Sequence, residues 1–377
     1  MKSEKLELQP HVTPQAPLEA KADDLLLLSG LEQQEDQTAA ATDSRASDLQ
    51  MVQQVITEKP AKERVIKPAG LVIAPGRDAR YKHSPELTTA VLDGIAQRAA
   101  LAKSKTTTLV VVAHPDDEAI GAGGLLAGIP DAVIAHVTDG SPRDDKYAQS
   151  KGFQTRDAYA RERRREVVSA LAHVGITPER CRGLGYVDGE ASQQMVELVF
   201  DVADLVDEVR PDIVFTHPYE GGHSDHDATA FAVHLACGIL RRDKVPAPLV
   251  LELTSYHNFS GQRRVLDFLP FIGTESRTIE LNESERGVKK RMYEEFASQK
   301  VVLERFPIGI ERFRAAPRYL FTVAPHEGLL DYERYCTFIT GAQWRDNAGR
   351  ALRMLRTRRR RFVQAPVLRY SARHVGG

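Results

Sequence analysis

Residues 107–118 read Thr-Thr-Leu-Val-Val-Val-Ala-His-Pro-Asp-Asp-Glu. The first seven form a short, apolar, β-branched run, the composition of a strand covered on both faces. Within the last five, one imidazole and three carboxylates follow that strand directly. Outward from this junction the chain alternates. A Gly- and Ala-rich helical stretch covers Glu118–Gly128, and Ala132–Val137 reads as the next strand. Asp157–His173 is a charged amphipathic helix, and Ser192–Val209 is another, closed by Arg210-Pro211. Asp212–Thr216 is a third buried strand, Asp227–Leu240 a helix and Pro248–Thr254 a strand. Asn282, with Glu285 three residues on, signals a capping box at the start of a long helix. Strands alternating with helices predict an α/β fold: a Rossmann-like, mostly parallel sheet with helices on both faces.

The two ends differ from this middle. Residues 1–60 hold 11 Asp and Glu against 5 Lys and Arg, and no aromatic precedes Tyr81. Such a segment buries too little apolar surface to offset its ordering entropy, so 1–60 is expected to be a disordered acidic arm. Within it, Asp23-Asp24-Leu25-Leu26-Leu27-Leu28 reads as a transient helix or a short docking helix. Residues 61–105 form a lead-in that packs on the core, with a helical stretch near Glu86–Ala102. The main domain spans 106–345, and 346–377 is a basic C-terminal tail. From Arg350 onward there are nine arginines and no acid, including Arg358–Arg361. This is a solvated tail or helix face, with an anionic surface or partner as the functional alternative.

Over the 377 residues, 42% are hydrophobic and the formal net charge is -1, which excludes wholesale disorder and a polycation built for specific nucleic-acid binding. Three scattered cysteines (Cys181, Cys237, Cys336) exclude a disulfide framework and fit a reducing compartment. There is no apolar run of membrane-spanning length and no secretory h-region after Met1. The expectation is a soluble cytoplasmic protein.

Parallel α/β sheets place their sites at the carboxyl ends of strands. Two polar clusters fall there: His114-Pro115-Asp116-Asp117-Glu118 after the first strand, and His217 through His226 after the third. A divalent cation would neutralise the first cluster. His114 and Asp117 lie three apart on a tight turn held by Pro115, and His226 would supply a third ligand. Three N/O ligands with an open position describe a catalytic zinc site. Asp116 is then free to act as general base on the water such an ion would activate. His223, as an imidazolium, would stabilise an oxyanion or protonate a leaving amine, and Asp225 would orient it.

The pair AHPDDE at 113–118 and HSDH at 223–226 resembles the PIG-L/LmbE family of zinc-dependent N-acetylsugar deacetylases. The resemblance spans roughly 107–260. It extends to Arg163 and Glu166, in the place of a family Arg-x-x-Glu, to Leu184-Gly185-Tyr186-Val187-Asp188-Gly189, and to Arg210-Pro211-Asp212. It implies a zinc-dependent hydrolase that removes an N-acetyl group from an amino sugar or its conjugate. His114, Asp117 and His226 would bind Zn2+ or another divalent transition metal. Asp116 would be the base and His223 would stabilise the transition state. Arg163 and Asp188 would contact the small-molecule amino-sugar substrate. Two departures stand out. Ser224 occupies a position where many members have Pro. Gly221 occupies one where some members have an oxyanion-holding Tyr, so His223 and the metal act without it or Tyr219 moves in.

Other readings compete with this one. Asp116 and Asp117 would cap the following helix if they had no further role. His217 is either a group supporting the site or a satisfied core histidine. His136, His173, His234, His257 and His326 are structural or surface residues by default. Two His and one carboxylate also describe the facial triad of a non-haem iron oxygenase, although that triad favours β-rich barrels. A deacylase of a non-sugar amide or ester, and a non-catalytic sugar-binding relative, complete the alternatives. Gly121-Ala122-Gly123-Gly124 fails the dinucleotide fingerprint; its small residues let the helix approach the sheet.

Overall fold

The first strand is the axis of the molecule because its side chains serve two cores. Leu109 and Val111 belong to one buried cluster and Val110 and Val112 to the other, the period-2 alternation of a strand with both faces covered. The structure, a computed structural model, describes residues 85–96, 106–335 and 338–357. The acidic arm 1–60 with its Leu25–Leu28 stretch, most of the lead-in 61–105, Cys336 and the arginine run Arg358–Arg361 lie outside the described residues.

In chain order the elements are α1 (Pro85–Ala96), β1 (Thr108–Val112), α2 (Asp117–Leu126), β2 (Val133–Pro142), α3 (Asp145–Ser150), α4 (Arg156–Ala172), β3 (Cys181–Asp188), α5 (Met195–Val209), β4 (Ile213–Thr216), α6 (Ser224–Arg242), β5 (Leu249–Leu253), β6 (Tyr256–Phe259), β7 (Gln262–Val265), β8 (Ser276–Glu280), α7 (Glu283–Glu295), α8 (Lys300–Leu303), β9 (Ile310–Ala315) and α9 (Gly341–Thr357). One sheet runs in the order β3-β2-β1-β4-β5-β9-β8, and β6 and β7 pair separately. The pairings β2–β3, β1–β2, β1–β4 and β4–β5 are parallel, and β9 pairs antiparallel with both β5 and β8. The sheet is therefore α/β and mostly parallel, with an antiparallel edge. Val110 stands between Ile134 of β2 and Phe215 of β4.

Strand order reverses at β1. The chain leaves β1 toward β2 through α2, whose Ala119, Ile120 and Ala122 join the cluster containing Val110. It leaves β4 toward β5 through α6, whose Phe231, Val233 and Ala236 join the cluster containing Leu109. The loops β1–α2 and β4–α6 are thus adjacent and diverge to opposite faces, the crevice where parallel sheets bind ligands.

Two local features set this geometry. Gly124 is where α2 meets Leu281; a β-carbon there would lie 2.6 Å from the Leu281 side chain. The Gly-rich run thus supports helix approach. Buried Lys289 of α7 donates to the Ile120 carbonyl at 2.8 Å and to Glu311 of β9 at 2.9 Å, while Glu311 accepts the Gly124 N–H at 2.7 Å. The capping box at Asn282 and Glu285 is present.

Several elements are additional to those read from the sequence. The Leu184–Gly189 stretch read as a loop is largely strand β3. The hairpin β6–β7, the edge strands β8 and β9, and α9 were not anticipated. Helix α9 crosses the boundary drawn at 345–346 and buries Trp344, Ala348, Ala351 and Leu355 against the α5–α6 side. Among the described residues no helix is long and apolar enough to cross a membrane.

Candidate metal centre

The β1–α2 loop folds tightly because its own carboxylates satisfy its backbone. Asp117 accepts the His114 N–H at 2.8 Å, and Glu118 accepts the Asp116 N–H at 3.2 Å. Between them Asp116 adopts φ 150°, a conformation that L-residues avoid and that surrounding contacts must enforce. Glu118, fully buried, is in turn paired with His136 of β2 at 2.9 Å. Burial pulls the His136 imidazole down, but Glu118 outweighs it and raises the pKa to about 9.

Three side chains converge beside this loop, Asp117 through both of its oxygens. His114 Nδ1 lies 3.3 Å from Asp117 Oδ2, His226 Nε2 lies 3.3 Å from Asp117 Oδ1, and the two ring nitrogens lie 3.3 Å apart. An ion with bonds of about 2.0–2.1 Å to tetrahedral ligands spaces those ligands about 3.3 Å apart. The donor set, two imidazoles and a carboxylate, also fits a divalent transition metal. Three partly overlapping sets, His114/His223/His226, Asp117/His217/His226 and His114/Asp188/Asp225, bring one ligand atom from each residue within 4.8 Å of one another.

The groups behind these donors fix their orientation. His114 Nε2 faces Asp188 at 3.2 Å and Asp225 at 3.3 Å. A proton held there leaves Nδ1 as the atom turned to Asp117 and His226. Burial pulls the His114 pKa down, but Asp188, Asp117 and Asp225 more than reverse it, so the ring holds positive charge well above the ordinary range. A divalent cation is the other way to balance the same carboxylates. Burial pushes Asp117 up, yet the neighbouring His226 and His217 imidazoles bring it well below the usual carboxylate range. Burial and His114 together lower His223. His217, wholly buried, stacks on His226 with ring centroids 3.9 Å apart, and its Nε2 accepts the Ala113 N–H at 3.1 Å. It is a support for the two loops.

Asp116 sits next to the donors without being one of the three. Its Oδ2 accepts from Arg163 Nη2 of α4 at 3.1 Å. Burial pushes its pKa up to about 7, with Arg163 pulling the other way. His223 caps α6, and its Nδ1 accepts the Asp225 N–H at 3.2 Å. That bond leaves a neutral His223 with its proton on Nε2. The His223 ring lies edge-on to His114, with centroids 4.6 Å apart.

Several expectations need correcting. Arg163 was assigned to the sugar, but it is 2% exposed, with one arm on Asp116 and another 3.8 Å from Glu166. Glu166 is anchored on the Ser298 N–H and hydroxyl, both at 2.7 Å. Arg163 therefore supports Asp116 from behind. Asp225 was assigned to orient His223 through its carboxylate. That carboxylate instead accepts the Gly189 N–H at 2.6 Å and the Ala191 N–H at 3.1 Å and faces His114; only its backbone N–H reaches His223. His223 was written as an imidazolium, whereas its surroundings favour the neutral ring. Tyr219 does not take the place left by Gly221. It is buried, its hydroxyl donates to the Val323 carbonyl at 2.9 Å, and its ring stacks on Trp344. Gly221 has φ 72°, and a β-carbon there would lie 2.6 Å from Leu330. Asp188, assigned to the sugar, needs no such correction: it leans on His114, which with the other neighbouring cations brings its pKa down to about 2 against the upward push of burial, and its side chain stays 19% exposed.

Other residues at the site gave no sequence signal of their own. Tyr256 of β6 lies edge-on to His226, with centroids 5.4 Å apart, and its hydroxyl is 3.4 Å from that of Tyr335. Buried Glu220 accepts the Leu269 N–H and Arg314 and lies 3.1 Å from His257. Their partners lie tens to a hundred residues away, which no local pattern encodes.

Residues 109–237 match the family model described as PIG-L, GlcNAc-PI de-N-acetylase. The chain is 30% identical over 151 residues to a Bacillus cereus protein named probable N-acetyl-α-D-glucosaminyl L-malate deacetylase 2, covering 39% of this chain and 67% of that one. It is 27% identical over 154 residues to the protein of the same name from Bacillus subtilis, covering 40% and 69%. It is also 30% identical over 164 residues to a 1D-myo-inositol 2-acetamido-2-deoxy-α-D-glucopyranoside deacetylase from Kineococcus radiotolerans, covering 34% and 45%.

Proposed function

The chain belongs to the PIG-L family and is an N-deacetylase, and from that premise we propose that it hydrolyses the acetamide of an N-acetylglucosamine conjugate at a zinc site built from His114, Asp117 and His226. The observation that carries this reading is the closed triangle of 3.3 Å contacts between those three side chains, supplied by two loops on opposite sides of the strand-order reversal. When bound there, zinc supplies Lewis acidity toward water and the acyl oxygen.

The chain's own groups do the rest. Asp116 accepts the proton of the attacking water and returns it to the departing amine. Its carboxyl, with a pKa of about 7, is suited to both transfers near neutrality. Arg163 holds Oδ2, so the carboxylate keeps one orientation throughout. His223 donates from Nε2 to the oxygen on which negative charge develops, and its Nδ1 bond to the Asp225 N–H keeps the proton on that side. Asp188 and Asp225 hold His114 in the tautomer that points Nδ1 at Asp117 and His226. Asp188, partly open to solvent with a side chain 19% exposed, also has an edge available to a sugar hydroxyl. Burial of the acids and imidazoles strengthens each of these interactions relative to water.

The test is acetate release from N-acetyl-α-D-glucosaminyl L-malate and from the myo-inositol glycoside, with and without chelator. The proposal expects turnover of at least one conjugate, abolished by chelation and restored by zinc. Hydrolysis that persists in the fully chelated protein would contradict it.

A further inference from the structure

The family match ends at residue 237, yet chain from beyond that point packs onto three glycines around the metal centre. A β-carbon at Gly221 would lie 2.6 Å from Leu330, one at Gly222 would collide with the Tyr256 carbonyl, and one at Gly189 would lie 3.0 Å from the Phe338 ring. Hydrogen bonds fasten the later residues at the same places. The Asp331 N–H donates to the Gly221 carbonyl at 2.8 Å, the Tyr335 hydroxyl to the Gly222 carbonyl at 3.0 Å, and Trp344 Nε1 to the Ser224 carbonyl at 3.0 Å.

The core accounts for most large side chains here: Leu330, Tyr332, Ile339 and Trp344 are buried. It does not account for Tyr335 and Phe338, which are 47% and 53% exposed and so forgo much of the gain an aromatic ring makes by burial. Both rings stand beside groups of the site. The Tyr335 ring lies 6.5 Å from that of His223, inclined at 30°. The Phe338 ring lies against Gly189, the residue after Asp188. His223 and Asp188 are in turn two neighbours of one imidazole, His114, at 4.6 Å between ring centroids and 3.2 Å between atoms. An aromatic ring thus accompanies each of the groups read above as meeting the acyl oxygen and a sugar hydroxyl. A substrate that reaches both His223 and Asp188 passes both rings. A pyranose suits that path, because its rim carries hydroxyls and its faces carry C–H groups.

We propose that Tyr335 and Phe338 form an aromatic wall on which the C–H face of the pyranose packs, and that this wall selects a cyclic amino sugar over an open-chain acetamide. The inference rests on the deacetylase reading above and adds to it two specificity-determining residues from outside the matched region.

The experiment uses the full chain purified with zinc. Binding is read with the deacetylated glycoside, methyl α-D-glucosaminide, which the chain cannot turn over. In saturation-transfer NMR, irradiation of the protein's aromatic protons should mark the ring C–H protons of that ligand. Its dissociation constant should rise by about three- to tenfold in Tyr335→Ala and in Phe338→Ala, and stay within about twofold of wild type in Tyr335→Phe and Phe338→Tyr, which keep the rings. Turnover is compared between methyl N-acetyl-α-D-glucosaminide and N-acetylethanolamine. The ratio of their kcat/KM values should fall in the alanine variants by the same factor as the affinity. The wall is overturned by an absence of transfer to the ring protons, by alanine variants that bind as wild type does, by ring-keeping variants that lose as much as the alanine ones, or by an equal loss on the two acetamides. Ring contacts without any acetate release uphold the wall and contradict the deacetylase reading; acetate release without ring contacts does the reverse.

Discussion

The parallel strands β1, β4 and β5 and the antiparallel edge β9–β8 share one sheet but are built differently. TLVVV, IVFT and LVLEL are almost wholly apolar and buried, whereas IERFRA and SRTIE mix charge with scattered burial. The parallel part ends in the loops that carry His114, Asp117, His223 and His226. The edge sends buried ions back toward those loops. Arg314 of β9 bonds Glu252 at 2.7 Å and Glu220, in the β4–α6 loop, at 3.0 Å. Glu311 of β9 clamps the amides of Gly124 and Leu125 in α2. Apolar runs can place a site at strand ends, but here charged residues from a distant segment hold the site's loops in register.

The sharpest way to separate these two contributions is to damage each in turn. Asp116→Asn removes a base on the parallel side while keeping an amide of the same size beside Arg163. Turnover should fall by about 10²–10⁴-fold, with metal content unchanged; steady-state kinetics beside elemental analysis reads both. Arg314→Met does the reverse. It strands Glu252 and Glu220 as buried charges, and stability should fall by about 3–5 kcal/mol in urea unfolding. Metal-loaded protein that remains folded should still turn over.

His136→Gln probes the pair beneath the base loop. The folded pKa of His136 is raised to about 9. Its contribution, on the order of 3 kcal/mol, is therefore complete below the unfolded value near 6.5 and lost as pH rises through about 9. The difference in unfolding free energy between wild type and His136→Gln should be largest at pH 6 and should shrink by pH 10. A difference that grows with pH would mean the pair is not held as His⁺–Glu⁻.

The smallest effect is expected at Ser224. It is the first residue of α6, where an N–H is not needed, and His223 before it has φ -137° and ψ 144°, a conformation that a following proline accepts. Ser224→Pro should change stability by no more than about 1 kcal/mol and leave activity intact.

Fold class and the two loops were legible because they follow from local patterns. Val110, Val112 and Phe215 announce buried strands, and the charged residues after them have no packing role. The supports of the site were not legible. Arg163 was placed at the substrate by the family resemblance alone, and its position on a charged helix gave no sign that the fold turns it inward onto Asp116. Asp225 looked like the partner of His223 because it is two residues away, yet the fold spends its carboxylate on the Gly189 and Ala191 amides across the crevice. Strands β8 and β9 were missed because Ser276–Glu280 and Ile310–Ala315 contain too many charges to read as strands. Those charges are satisfied by residues such as Lys289, Glu220 and Glu252, which only the folded chain brings together.

The most direct test of the account is metal stoichiometry across the two loops. Wild-type protein purified with zinc should hold one equivalent per chain, and both His114→Ala and His226→Ala should hold almost none while retaining the wild-type circular dichroism spectrum. A His226→Ala protein that still carries a full equivalent of zinc would contradict the claim that the β1–α2 and β4–α6 loops close on a shared ion.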